Sequence, residues 1–210
     1  MPRCFYLHGF ASGPQSYKAQ YLRARLAEVG QTLLVPDFNT GGFLGLSLTR
    51  QIEQVSQLIS RFPEPTILIG SSFGGLTAAW VAERCPQVAQ IILLAPAFEF
   101  SKYLQLHLGE RYAQWRQDRD ILLYHHGYGR ESGLSYGFVE DLTRYRDAAL
   151  KRSLPTLIIH GRQDEIIPAS VSQRYQSSRP WVTLDLIADD HSLTESISYI
   201  WRCIRPALSR

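Results

Sequence analysis

Gly70-Ser71-Ser72-Phe73-Gly74 is the stretch of this sequence best suited to chemistry. The apolar run Thr66-Ile67-Leu68-Ile69 precedes it, and a helical pattern from Leu76 to Glu83 follows. A chain that leaves a strand, turns sharply and enters a helix lifts the turn residue above the sheet. Ser72 occupies that turn, so its hydroxyl is the candidate nucleophile. Gly70 and Gly74 leave room for a backbone that a Cβ would obstruct. Gly75 lets the new helix lie close to the strands.

A serine hydroxyl is a weak nucleophile unless a base takes its proton. Histidines stand at His8, His107, His125, His126, His160 and His191. His191 is the preferred base. It follows the strand-like end Leu186-Ile187 and precedes the last helical pattern, which places it on a loop at the edge that carries Ser72. The base in turn needs a carboxylate to fix its tautomer. Asp164, just beyond the strand-like run Leu157 to His160, fits that role. Glu99, after the run Val88 to Leu94, is its first rival. Asp189 and Asp190 lie close to His191 in sequence, and one of them suits a cap on the last helix. Glu165 reads as a solvated neighbour.

Negative charge developing on a substrate needs donors aimed at it. The backbone N–H of Phe73, at the helix start, is one candidate. The N–H of Phe10, on the loop Leu7-His8-Gly9-Phe10-Ala11-Ser12-Gly13, is the other, with Gly9 permitting a tight turn. His8 and His160 read as braces for their loops. His125 and His126 are adjacent, so their rings need not converge. No cluster has metal-ligand spacing, so neither metal nor cofactor is expected.

These groups must be positioned by alternating elements. Strands are expected at 3–7, 32–35, 66–69, 88–94, 157–160 and 182–187. Helices are expected at 17–29, 48–62, 72–84, 169–177 and 192–204. Nearly continuous apolar strands alternating with helices predict a parallel sheet between helix layers. Residues 97–152 break the rhythm. They carry Tyr103, Tyr112, Trp115, Tyr124, Tyr128, Tyr136, Phe138 and Tyr145 but no clear core strand. They are expected to form a largely helical cap, inserted within a single domain spanning 1–210, that covers Ser72 and lends it aromatic walls. An ordinary long crossover is the alternative.

Composition narrows the classes. The chain has 210 residues, 45% of them hydrophobic and 20% charged, which suits one well-filled core. Its net charge of +3 is spread without a basic run, which argues against nucleic acid. No apolar stretch reaches the ~18 residues of a membrane span. The N-terminus enters a strand at once and lacks a signal-peptide pattern, which suggests a cytoplasmic protein. Cys4, Cys85 and Cys203 are too few and scattered for a disulfide framework or zinc site, and read as buried thiols.

The set as a whole resembles the α/β-hydrolase superfamily. The resemblance rests on His8-Gly9-Phe10 after the first strand and Gly70-Ser71-Ser72-Phe73-Gly74 after the third. His160-Gly161-Arg162-Gln163-Asp164 after the fifth strand and Asp190-His191 after the sixth complete it. The chain order Ser72, Asp164, His191 is that of the superfamily. More narrowly, Tyr6-Leu7-His8-Gly9-Phe10-Ala11-Ser12-Gly13-Pro14, Ser16-Tyr17-Lys18, Val35-Pro36-Asp37 and Gly70 to Gly75 are similar to the small YqiA-type esterases. Those are compact proteins with little cap, unlike this chain. The resemblance implies six parallel strands in the spatial order 2-1-3-4-5-6, with Ser72 beside the point where the order reverses. It implies Ser72 as nucleophile, Asp164 as acid, His191 as base and no metal.

The expected reaction is hydrolysis of a carboxylic ester through an acyl-serine. The expected substrate is a small molecule with an apolar acyl or aromatic part. Thioester and amide or peptide cleavage would use the same residues. A non-catalytic binding protein that keeps the fold is the reading from a different class. Nothing in the sequence fixes an oligomeric state.

Overall fold

The computed structural model describes residues 2–209. Its core is a six-stranded sheet of β1 (Arg3–Leu7), β2 (Leu33–Leu34), β3 (Thr66–Ser71), β4 (Val88–Leu94), β7 (Thr156–Gly161) and β8 (Val182–Ile187). The spatial order is β2-β1-β3-β4-β7-β8, and every pairing in it is parallel. This is the order expected from the sequence, with the reversal between β1 and β3.

The strands sort their side chains by period two, as a pleated strand must. Phe5 and Leu7 of β1 join one apolar cluster, with Leu68, Leu93 and Ile158 of neighbouring strands. Cys4 and Tyr6 join the other, with Ile67, Ile69, Ile92, Leu94 and Ile159. Helices α2 (Leu48–Ile59) and α3 (Phe73–Arg84) cover the first face through Ile52, Val55, Ile59, Leu76 and Val81. Helices α1 (Tyr17–Glu28) and α8 (Ile197–Ile204) cover the second through Leu22, Leu26, Ile197 and Ile200. Helix α7 (Ser170–Ser177) adds Val171 and Tyr175 to the first layer. The result is a three-layer α/β sandwich.

Several boundaries moved. The second strand shrinks to two residues, and the last helix begins at Ile197 because residues 192–196 form turns around an irregular stretch at 193–194. Cys4 is buried as expected, whereas Cys85 and Cys203 are only half-buried; all three are unpaired.

Residues 97–152 contain α4 (Phe100–Leu108), α5 (Glu110–Asp118) and α6 (Gly137–Leu142). They also contain an antiparallel hairpin, β5 (Asp120–His125) with β6 (Arg130–Ser135), which the sequence did not reveal. The expected aromatic walls are largely consumed in packing. Trp115 is buried and donates its Nε1–H to the Leu134 carbonyl at 2.9 Å, tying α5 to the hairpin. Phe100 and Phe138 pack with Phe73 of α3 and with Phe10. Tyr145 meets Trp80 edge-on.

Candidate active site

Ser72 sits between the end of β3 and the start of α3 with φ 53° and ψ −118°. A non-glycine residue in that region is strained and persists only where its surroundings hold it. Here its N–H donates to the Leu94 carbonyl at 2.8 Å, and its carbonyl accepts from the Ala97 N–H at 3.0 Å. The flanking glycines are required by close approach. A Cβ on Gly70 would lie 2.3 Å from the Gly74 oxygen, and one on Gly74 would lie 2.0 Å from the Leu7 oxygen.

His191 lies on the loop after β8, and its Nε2 is 2.9 Å from Ser72 Oγ. Its Nδ1 is 2.6 Å from Asp164 Oδ2, on the loop after β7. With Nδ1–H donated to the carboxylate, Nε2 is left to accept the serine proton. Glu99, the rival acid, faces elsewhere: it pairs with Arg174 at 2.6 Å and Lys102 at 3.3 Å.

Asp164 is itself tightly held. Its Oδ1 accepts the N–H groups of Ile166 at 2.9 Å and Ile167 at 2.8 Å. Its Oδ2 also receives His160 Nε2 at 3.0 Å. Burial pushes this carboxyl up. The bonds from His160 and His191, the His191 charge and the Ile167 N–H outweigh it, and hold Asp164 well below the usual carboxylate range. His160 Nε2 faces two acceptors, Asp164 Oδ2 and the Ile167 carbonyl at 2.8 Å, so it carries the proton. Nδ1 then accepts from the Ser172 hydroxyl at 2.8 Å. The sequence marked His160 only as a brace; this link to Asp164 had no signal beyond the His-Gly-x-x-Asp spacing.

His8 is buried, as a brace should be. Its Nε2 accepts the Phe38 N–H at 3.2 Å, so Nδ1 carries the proton and donates to the Gly9 carbonyl at 3.1 Å. Burial lowers its pKa, against the Gly9 bond and Asp37 charge that raise it. The loop it braces lies against Ser72: a Cβ on Gly9 would be 3.4 Å from Ser72 Cβ and 4.0 Å from its Oγ. Among the described residues, neither the Phe10 nor the Phe73 N–H is engaged in a hydrogen bond. Both stand beside the serine as candidate oxyanion donors.

His125 and His126 diverge. His125 is buried against Asn39 and stacked on Tyr128, while His126 is exposed. His107 bonds the Ile166 carbonyl at 2.8 Å. Asp189 accepts the N–H of Ser196, just ahead of α8, at 2.9 Å, which ties the loop to the helix start without capping the N–H groups of α8. Among the described residues no three His, Cys, Asp or Glu side chains converge to hold a metal. No described helix is long and apolar enough to cross a membrane.

The cavity at Ser72 has a volume of about 280 Å³. Its walls come from the 9–18 segment and the 191–194 loop, including Phe10, Ser16, Tyr17, Lys18, Ser192 and Thr194. From the 97–152 segment only His126, at the hairpin tip, reaches it. The tip is anchored there by Gly127 N–H on the Ala11 carbonyl at 3.1 Å.

Residues 3–206 match a single family model. The chain belongs to the uncharacterised protein family UPF0227. No protein of curated function matches this UPF0227 member. Solved structures share its architecture. A candidate hydrolase from Agrobacterium vitis S4 is 25% identical, with a TM-score of 0.86 over 98% of this chain and 87% of that one. Est1E from Butyrivibrio proteoclasticus, with ferulic acid bound, is 20% identical, with a TM-score of 0.85 over 99% and 88%. Mouse alpha/beta hydrolase domain-containing protein 10 is 21% identical, with a TM-score of 0.82 over 100% and 90%. The UPF0227 chain thus has the α/β-hydrolase fold. Its Ser72–His191–Asp164 arrangement is that of a serine hydrolase working through an acyl-enzyme.

Proposed function

We propose that this protein hydrolyses carboxylic esters, with Ser72 as nucleophile, His191 as base and Asp164 as its orienting acid. The observation that carries the reading is the unbroken path from Ser72 Oγ through His191 to Asp164 at 2.9 and 2.6 Å. Ser72 Oγ attacks the ester carbonyl while His191 Nε2 takes its proton. Asp164 stabilises the imidazolium that forms. The Phe73 and Phe10 N–H groups receive the oxyanion. His191 returns the proton to the leaving alcohol. It then takes a proton from water as the water oxygen attacks the acyl carbon, and gives that proton to Ser72 Oγ as the acyl–Oγ bond breaks and the acid leaves.

The finer kinship is with the small YqiA-type serine esterases, on the motifs of the first, second and third strands. Residues 97–152 are an insertion within one domain. Support comes from the sheet, where β4 pairs directly with β7 across that gap in sequence. Its hairpin tip makes it an arm beside the site more than a lid over it. Phe10, half-buried at the cavity and packed on Phe43, Phe73, Phe100 and Phe138, favours an apolar or aromatic acyl group.

Fluorophosphonate labelling read by intact mass tests the nucleophile. The expected result is one adduct on the wild type and none on Ser72→Ala. A panel of ester, thioester, amide and aryl-acrylate substrates then tests the bond cleaved. Ser72→Ala should lower ester turnover by roughly 10⁴- to 10⁶-fold. A folded protein that neither labels nor hydrolyses any member of the panel would be a binding protein instead.

A further inference from the structure

The Ser72 cavity has a cation in its wall that the triad does not use. Lys18, in the first turn of α1, is half-buried and lines the cavity with Ser72 and His191. Its ammonium donates to the Ser192 carbonyl, which occupies one of its three N–H groups. No carboxylate lies within 4.0 Å of it among the described residues. The nearby acids reach it only through their charge, from beyond that distance. Asp189 accepts from the N–H groups of Asp190 and Ser196, and Asp190 Oδ1 from the N–H and hydroxyl of Ser192. The adjoining Ser16 hydroxyl is buried near the Tyr6 phenol but makes no aligned hydrogen bond. A half-buried ammonium without an ion-pair partner is uncommon, because desolvating a charge is costly unless something compensates. In a reaction cavity, that partner can be the substrate.

We propose that Lys18 is a specificity-determining residue, whose ammonium receives a terminal carboxylate carried by the ester that Ser72 attacks. The proposal rests on the ester-hydrolase reading and narrows it. The substrate body is apolar where it meets Phe10 and anionic where it meets α1. Asp190 and Asp189, on the loop after β8, act on Lys18 through their charge. His191, His126, Tyr6 and Tyr17 line the same cavity. Burial lowers the Lys18 pKa to about 8, against the raising influence of Asp190 and Asp189. The ammonium is therefore charged below that pH and loses its proton above it.

Two esters with the same leaving group and acyl length make the test: mono-4-nitrophenyl glutarate, which ends in a carboxylate, and 4-nitrophenyl pentanoate, which does not. The ratio of their kcat/KM values cancels every step of the triad that both esters share. At pH 7 the ratio should fall about 10- to 100-fold in Lys18→Gln, the loss expected for a charge-assisted hydrogen bond. Lys18→Arg should retain most of it. In the wild type the ratio should fall as pH rises from 7 to 9.5, with no variant needed. A ratio equal in wild type and Lys18→Gln, or constant with pH, overturns the proposal. Calorimetry on Ser72→Ala with monophenyl glutarate separates this outcome from failure of the hydrolase reading. Binding that weakens at least 10-fold when Lys18→Gln is added supports the carboxylate site even in a protein without turnover. Equal binding by the two proteins overturns it.

Discussion

His160 and His191 approach the same carboxylate oxygen. Asp164 Oδ2 lies 2.6 Å from His191 Nδ1 and 3.0 Å from His160 Nε2. The charge that steadies the reacting imidazole is thus set by a second imidazole, itself fixed by Ser172. His160 does not touch the reacting atoms; it positions Asp164. His160→Ala should lower kcat about 10- to 100-fold, the worth of one hydrogen bond to a charged group, with KM within about 3-fold. His160→Gln, whose amide can still donate, should recover part of the loss. Steady-state kinetics at constant pH make the check. A matching fall in kcat/KM caused by a raised KM, or no rescue by glutamine, would assign His160 to general packing.

Asp164 also predicts how stability depends on acid. Its folded pKa is depressed, so its contribution is complete above the unfolded carboxylate value of about 3.9 and fades as pH falls below it. Asp147 works with the opposite sign. Burial raises it to about 6, against the Glu99 N–H bond that lowers it, so between about pH 4 and 6 it favours folding as pH falls. Comparing wild type with Asp164→Asn isolates the first effect, because Asp147 is common to both. Thermal melts should separate the two proteins most at pH 6 to 7 and converge toward pH 2. A gap that is constant with pH would contradict the electrostatic origin of the depression.

The sheet and the triad were legible because each rests on a local pattern. The nearly continuous apolar runs, Cys4 to Leu7 among them, and the Gly-x-Ser-x-Gly turn need no knowledge of distant contacts. The hairpin β5–β6 was hidden because two of the outward positions of β5 are apolar: Leu122 is 57% and Tyr124 54% exposed. Alternation of burial therefore left no alternation of residue type, and β6 contains Gly133 and two charged residues. The cavity walls were misjudged for a related reason. Aromatic content showed that residues 97–152 must pack. It could not show that Trp115 and Phe138 would pack inward, leaving His126 at the cavity. Glu99 and Asp164 both follow core strands, so only the tertiary positions of their side chains separate them.

The turn at Ser72 should tolerate methyl groups according to what they meet. On Gly74 a Cβ would sit 2.0 Å from the Leu7 oxygen and 2.6 Å from the His8 oxygen, both backbone atoms of β1 and the loop that follows it. Neither can swing aside as a side chain does. The start of α3 must then move away from β1, carrying the Phe73 N–H away from the Phe10 loop. On Gly75 the nearest atoms are Pro96 Cα and Cβ, both at 3.1 Å, which a shift of a few tenths of an ångström relieves. Gly75→Ala should therefore cost about 1 kcal/mol, and Gly74→Ala about 3 kcal/mol or more. Denaturant melts measure the first quantity, and the rate of fluorophosphonate labelling at Ser72 measures the displaced donors. Gly74→Ala should label at least 10-fold more slowly even at temperatures where it remains folded. Wild-type labelling by a folded Gly74→Ala protein would show that labelling does not depend on where the Phe73 N–H lies relative to the Phe10 loop, and would remove Phe73 and Phe10 from the oxyanion role.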